Sequence, residues 1–136
     1  MLLEKLRLLL DSGLLVLIWM VQLVVYPGFL SYSKENLLSW HSSYTKRISY
    51  LVMPLMCLQL FVAFLQLFYG PGLYTVGSFM LLVVIWGITF MKFVPLHREL
   101  SLGVDPIHSA KRLVSLNRIR TFLWTAVFLW GLLVQL

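Results

Sequence analysis

An uncharged run of 44 residues decides the fold: ISYLVMPLMCLQLFVAFLQLFYGPGLYTVGSFMLLVVIWGITFM, at positions 48–91. A helix needs about 20 apolar residues to cross the hydrocarbon core of a bilayer. The run holds two such lengths, which are separated by Gly70-Pro71-Gly72, a strong turn signal. It therefore predicts a tight hairpin of two membrane-spanning helices, at about 48–68 and 73–93.

Two further apolar runs flank this hairpin. Residues 12–33 form an uncharged run of 22 residues, which predicts a first span. The last uncharged run, 121–136, has only 16 residues. A fourth span at about 117–136 therefore requires Arg118 and Arg120 to extend to the membrane interface or to lie inside the bundle.

The overall composition indicates the same class of protein. The chain is 60% hydrophobic and 12% charged, whereas about a quarter of the residues in an ordinary soluble domain are charged. We expect one all-α integral membrane domain, residues 1–136, that forms a four-transmembrane-helix bundle with polar loops at 34–47 and 94–116. A cleavable signal peptide ending near Ser31-Tyr32-Ser33 is the alternative for the first span, but its apolar run is long for that role.

Positive charge predicts the orientation of the bundle. Nine Lys and Arg residues lie in or beside the two polar loops, against only Lys5 and Arg7 on the opposite side. Cytoplasmic loops are enriched in such residues, so both termini are predicted to be non-cytoplasmic, in a multi-pass protein of the bacterial inner (plasma) membrane. The net charge of +6 then indicates contact with anionic lipid headgroups rather than with nucleic acid.

Helix signals place the polar residues of the chain at one membrane face. Ser33 is a candidate N-cap for a helix that continues into the second span, and Asp105-Pro106 is a strong start for the fourth helix. Each helix then brings polar side chains to a similar depth, which predicts one pocket. Its candidate residues are Tyr26, His41, Tyr44, His97, Asn117 and Arg120.

The residue types of this set suggest several kinds of chemistry. His41 and His97 are candidate ligands for a transition metal or a haem, since imidazole suits such metals and helix bundles hold such sites. Asn117 and Arg120 are candidates for binding an anion or a quinone-like carbonyl. Tyr26 and Tyr44 are candidate proton or radical relays.

Each of these residues also has a structural interpretation. The two histidines can be interfacial residues, the tyrosines can belong to an interfacial aromatic belt, and Asn117 and Arg120 can tie the fourth helix to a loop. His108 is expected to be a first-turn residue near Asp105. Gln59 and Gln66 are expected to join helices by hydrogen bonds, and the single cysteine, Cys57, is expected to be buried.

Spaced motifs relate the chain to known membrane proteins. Gln22-x3-Tyr26-Pro27, His41-x2-Tyr44-x2-Arg47-Ile48, Val94-Pro95-x-His97 and Asn117-x2-Arg120-Thr121-x2-Trp124 resemble those of a group of small bacterial four-helix membrane proteins. The last two motifs are also similar to those of anthrone-oxygenase-like membrane proteins. That resemblance implies a cofactor-poor oxygenase or related redox activity on a hydrophobic ring substrate, at His97, Asn117, Arg120 and Trp124.

Two functions are compatible with these observations. The first is redox chemistry on a lipophilic small molecule in a pocket at the cytoplasmic membrane face, with a metal or haem bound to His41 or His97. The alternative is a non-catalytic membrane subunit or scaffold, which docks partner proteins or further copies of itself through its apolar helix faces. The sequence shows no nucleophile elbow, phosphate-binding loop, dinucleotide fingerprint or zinc-protease motif.

Overall fold

A computed structural model describes residues 2–136 as four long helices joined by short turns. Helix α1 is Leu2–Phe29, α2 is Lys34–Tyr69, α3 is Leu73–Leu102 and α4 is Pro106–Gln135. The all-α, four-helix prediction is confirmed. The predicted hairpin is confirmed as well, since α2 ends and α3 begins on either side of residues 70–72.

Local capping explains the start of α2, the end of α3 and the start of α4. The Ser33 hydroxyl accepts a hydrogen bond from the Asn36 amide at the start of α2, as predicted. Helix α3 ends at Leu102, and the next residue, Gly103, has a φ of 71°, a left-handed conformation that favours glycine. Asp105 accepts from the His108 amide and Pro106 takes the first position of α4, as the sequence predicts.

The helices form an antiparallel bundle in which α1 packs against α2 and α4, and α4 also packs against α3. The start of α1, the end of α4 and the α2–α3 hairpin lie at one end, where the Gln135 side chain donates to the Glu4 carbonyl at 3.1 Å. This end is called the terminal end below. The opposite end, which carries residues 30–33 and 103–105, is called the loop end.

Three of the helices, α1 to α3, are long and apolar enough to span a membrane. Large apolar side chains are exposed around the bundle, as Leu23, Phe61 and Phe122 illustrate. Such a surface fits contact with the acyl chains of a bilayer. Helix α4 matches its neighbours in length, but its first half is charged, so its crossing of the membrane stays a prediction.

The helices extend beyond the predicted spans. Helix α1 begins ten residues before residue 12, so Arg7 and Asp11 are part of it rather than of a polar leader. Most of the predicted polar loops 34–47 and 94–116 is likewise helical. Cys57 was predicted to be buried, and this is wrong: it is exposed on the outer face of α2, where apolar surroundings are expected to be lipid.

Two widened, π-helical turns interrupt the helices near the loop end. They span Val21–Val25 in α1 and Thr89–Phe93 in α3. Each stands directly before a short segment that contains a proline, Pro27 or Pro95. Proline lacks an amide hydrogen and clashes with the preceding turn, and the extra residue of a π turn relieves this conflict. Both turns therefore set the rotation of the segments that carry the candidate site.

Candidate functional site

The two predicted histidines meet at the loop end of the bundle. His41 stands in the second turn of α2, and His97 follows the π turn of α3. Nε2 of His41 lies 2.7 Å from Nδ1 of His97, and the two rings are nearly parallel, with centroids 5.0 Å apart. His41 is completely buried and His97 is half-buried. The pair joins α2 to α3 through two residues that are 56 positions apart in the chain.

This pair is the centre of a longer series of hydrogen bonds. On one side, Nδ1 of His41 lies 3.1 Å from the hydroxyl of Ser101, which is exposed at the loop end. On the other side, Nε2 of His97 lies 3.1 Å from the hydroxyl of Tyr26, which is buried. The four residues Ser101, His41, His97 and Tyr26 are called the relay below.

Every member of the relay can both donate and accept a hydrogen bond. In one arrangement Tyr26 donates to His97, His97 donates through Nδ1 to His41, and His41 donates to Ser101. In the other arrangement every bond is reversed. Movement of protons along the series converts one arrangement into the other, so the geometry can carry a proton between Tyr26 and the surface at Ser101.

Arg120 places a buried cation beside the inner end of the relay. It donates to the Tyr26 hydroxyl at 3.3 Å and to the Asn117 carbonyl oxygen at 2.8 and 3.0 Å. Its guanidinium also donates to Thr89 at 3.3 Å and lies 3.5 Å from the ring centre of Phe93. Because a fork of donors held this way cannot turn freely, Arg120 presents a fixed positive charge to Tyr26.

A layer of side-chain amides holds Arg120 and Asn117 in position. Asn117 donates to the Gln22 side-chain oxygen at 3.0 Å, and Gln22 in turn donates to the Val114 carbonyl. The Thr121 hydroxyl donates to the Asn117 carbonyl at 2.9 Å. These bonds connect α1 with α4, and Asn117 contacts Arg120 rather than the histidines.

A cavity of about 270 Å³ borders the relay. Its walls are apolar, and its polar groups come from Tyr26, Tyr44, His97 and Arg120, with Thr45, Ser49 and Thr89 nearby. Small-molecule pockets commonly occupy about 300–1,000 Å³ and combine apolar walls with few polar groups. Two lining side chains, Met53 and Val94, are exposed on the outer surface. The cavity therefore reaches the apolar outer surface between α2 and α3.

Tyr44 forms part of the cavity wall beside the histidines. Its ring meets that of Phe29 edge to face, with centroids 5.2 Å apart, and lies 6.3 Å from the ring of His41. It is buried and lines the cavity together with Tyr26. The pattern of helix positions predicted that His41 and Tyr44 share a face, and the structure confirms it.

The donor set does not fit a metal or a haem. All four ring nitrogens of His41 and His97 take part in hydrogen bonds within the protein. Within residues 2–136, no group of three His, Cys, Asp or Glu side chains could hold a metal ion. His108 does not supplement the pair, since it is exposed on the first turn of α4. Ligation by His41 or His97 would require the pair to separate.

The structure brings all six predicted site residues into one neighbourhood. Sequence reasoning missed Ser101, Thr89 and Phe93. Pro95 was the available signal for Thr89 and Phe93, because a proline inside a helix distorts the turn before it and these two residues lie in that turn. Ser101 follows His97 by four residues, about one helical turn, so helical periodicity could have placed the two side chains on one face.

Comparisons with protein-family models, curated proteins and solved structures find no match to this chain. The geometry of the site is accordingly what supports a function. The resemblance of the motifs to anthrone-oxygenase-like membrane proteins stays a prediction.

Proposed function

We propose that this integral membrane protein binds a lipophilic ring molecule in the cavity and that the relay takes up the proton that is first removed from this molecule as it is oxidised. The observation behind the proposal is the unbroken series of hydrogen bonds from the cavity wall at Tyr26 to the exposed Ser101. The charge pattern of the loops supports a cytoplasmic position for Ser101, in the inner membrane.

The polar groups of the cavity suit a molecule with a ring carbonyl. Arg120 can donate a hydrogen bond to its oxygen, while the Tyr26 oxygen faces the adjacent ring carbon and the apolar walls take the rings. Removal of a proton beside that carbonyl leaves an enolate, and the adjacent guanidinium stabilises its negative charge. The substrate enters from the lipid between α2 and α3, since the cavity reaches that surface.

The chemical step balances with molecular oxygen as the oxidant, the co-substrate that the resemblance implies. A ring methylene gives a proton to the Tyr26 oxygen as the Tyr26 proton passes to His97, and one proton leaves at Ser101. The electron-rich enolate carbon then reacts with oxygen. Overall, one methylene and one O₂ give one ring carbonyl and one water, and the relay is restored by the return of a proton.

Two assays on the full chain in lipid vesicles test this proposal. Binding is followed by quenching of tryptophan fluorescence with a methyl-substituted naphthoquinone, because Trp124 lines the cavity. Turnover is followed as oxygen uptake and quinone absorbance with anthrone as substrate. His41→Ala and His97→Ala should abolish turnover above the spontaneous rate, whereas the exposed His108→Ala should not.

Unchanged turnover and binding in both site variants would overturn the proposal. Wild-type protein that neither binds the quinone nor consumes oxygen, but purifies with a stoichiometric membrane partner, would favour the scaffold interpretation. In that case the relay and Arg120 would serve to hold the helices together.

A further inference from the structure

A second polar cluster lies deep in the terminal half of the bundle. Arg7 and Asp11 are one helical turn apart on α1, and Nε of Arg7 donates to Oδ1 of Asp11 at 2.9 Å. Both side chains are at most 1% exposed. Charged residues within membrane-spanning helices are costly, and they usually serve a function.

Neutral side chains from α2 and α4 enclose this ion pair. Gln59 donates to Asp11 Oδ1 at 2.6 Å, and Arg7 donates through Nη1 to the Gln66 oxygen at 3.0 Å. Trp124 donates to the Gln59 oxygen at 3.2 Å, so the amide of Gln59 is held from both sides. Only one oxygen of the carboxylate is engaged by these bonds.

Four buried polar atoms of the cluster make no hydrogen bond of good geometry in the described part of the chain. They are Nη2 of Arg7, Oδ2 of Asp11, and the hydroxyls of Tyr74 and Ser78. Tyr74 and Ser78 are one turn apart on α3, and the Arg7 guanidinium lies 5.5 Å from the Tyr74 ring centre. These atoms thus belong to the same small region between α1 and α3.

Gly131 of α4 shows how close two of these atoms are to one another. A Cβ atom added to Gly131 would lie 2.8 Å from the Tyr74 hydroxyl and 3.5 Å from Asp11 Oδ2. The hydroxyl and the carboxylate oxygen therefore border a common space. Glycine keeps that space open, since any side chain at this position would fill it.

The mixture of charges restricts what this space can bind. A bare cation would face the free nitrogen of Arg7, and an anion would face Oδ2 of Asp11. Water suits all four atoms, because it donates to the carboxylate, accepts from the guanidinium and exchanges hydrogen bonds with both hydroxyls. A buried water typically makes about three such bonds.

This space adjoins the terminal end of the bundle. A second cavity, of about 530 Å³, is lined there by Lys5, Gln66, Tyr74 and Gln135, among others. Gln66 and Tyr74 belong both to this cavity and to the surroundings of the ion pair. Towards the loop end, by contrast, the side chains of Gln59 and Trp124 border the cluster, and neither an amide nor an indole readily releases a proton.

We propose that Asp11 and its unpartnered neighbours form a hydrated proton-binding site that exchanges with solvent at the terminal end alone. This site is separate from the relay and does not depend on the proposed function. The charged or titratable groups that face Asp11 are Arg7 from α1 and Tyr74 from α3, whereas α2 contributes amides and α4 contributes Gly131 and Trp124.

Access of water is tested with cysteine variants of the full chain in a Cys57→Ser background. A small membrane-impermeant methanethiosulfonate is added to one face of sealed vesicles at a time. Ser78→Cys should be modified from the terminal end and not from the loop end. Leu82→Cys, one turn further along α3 and equally buried in the apolar core, should remain unmodified from both ends.

Proton binding is tested by infrared spectroscopy on the reconstituted protein with an intact ion pair. A carboxylic-acid band should appear on acidification, shift in D₂O, and be absent from Asp11→Asn but retained in Glu35→Gln, which alters an exposed carboxylate. The proposal is overturned by a Ser78→Cys thiol that resists the reagent from both ends or reacts from the loop end. An Asp11 band that is missing, or is unaffected by D₂O, also overturns it.

Discussion

The relay and the Arg7–Asp11 cluster are both buried and polar, but they are built from different kinds of groups. The relay consists of imidazoles and hydroxyls, each of which can donate and accept, and its four ring nitrogens are all hydrogen-bonded. The cluster consists of an ion pair, amides and hydroxyls, and four of its polar atoms make no hydrogen bond of good geometry within residues 2–136. The first arrangement suits movement of a proton, and the second suits its retention.

The largest effect is expected from breaking the Arg7–Asp11 ion pair. Arg7→Met leaves the Asp11 carboxylate buried without its partner, and removal of one member of such a pair costs about 3–5 kcal/mol. Arg7→Met should therefore strongly lower the thermal stability of the detergent-solubilised protein. The double variant Arg7→Met/Asp11→Leu should recover much of this loss; a double variant as unstable as the single one would contradict this view of the pair.

A substitution in the relay should lower the rate of turnover rather than the stability of the fold. Tyr26→Phe keeps the ring and removes the hydroxyl that connects the cavity to His97, and a positioned proton-transfer group contributes about 10²–10⁴-fold. Oxygen uptake with anthrone should fall by such a factor, while quenching by the naphthoquinone persists. Tyr32→Phe changes an exposed tyrosine and serves as the matched control. Equal rates in the two variants would remove Tyr26 from the mechanism.

A smaller loss is expected from filling the space beside Asp11. Gly131→Ala places a methyl group 2.8 Å from the Tyr74 hydroxyl, and overpacking typically costs about 1–3 kcal/mol. Thermal unfolding should show this destabilisation. Gly13→Ala, whose added methyl meets nothing within 4 Å, should be neutral or stabilising. Similar stability of the two variants would show that the space beside Gly131 readily adapts.

The smallest effect is expected at the exposed end of the relay. Ser101→Ala removes a single hydrogen bond, worth about 1 kcal/mol, and water can take the place of the hydroxyl. Turnover should fall only a few-fold, well short of the loss in Tyr26→Phe. An effect as large as that of Tyr26→Phe would mean that the Ser101 hydroxyl itself is required for the proton to leave.

The sequence predicted most of the fold because its signals are local. Apolar length located the hairpin, and the side chains of Ser33 and Asp105 marked two helix starts. Helical periodicity also placed His41 and Tyr44 on one face. The meeting of His41 with His97 needed more, since their register depends on how α2 and α3 rotate against each other, and the π turn before Pro95 alters that rotation.

The Arg7–Asp11 cluster was missed because the spans were predicted from uncharged runs, and such a run ends wherever a charged residue occurs. The first span was predicted to begin at residue 12, which left Arg7 and Asp11 outside it. Their spacing of four residues was the available signal, since opposite charges one turn apart can pair. Cys57 was misplaced for a related reason: α2 is apolar on several sides, so periodicity does not show which side faces lipid.

The existence of the relay is tested most directly by ¹⁵N NMR of the histidine-labelled chain in bilayers. We expect His41 and His97 each to carry one protonated nitrogen and to show a coupling across the hydrogen bond between Nε2 of His41 and Nδ1 of His97, which His97→Ala abolishes. Addition of the naphthoquinone should perturb His97 more than the exposed His108. The relay would be contradicted by two imidazoles that show no such coupling and whose N–H protons exchange freely with water.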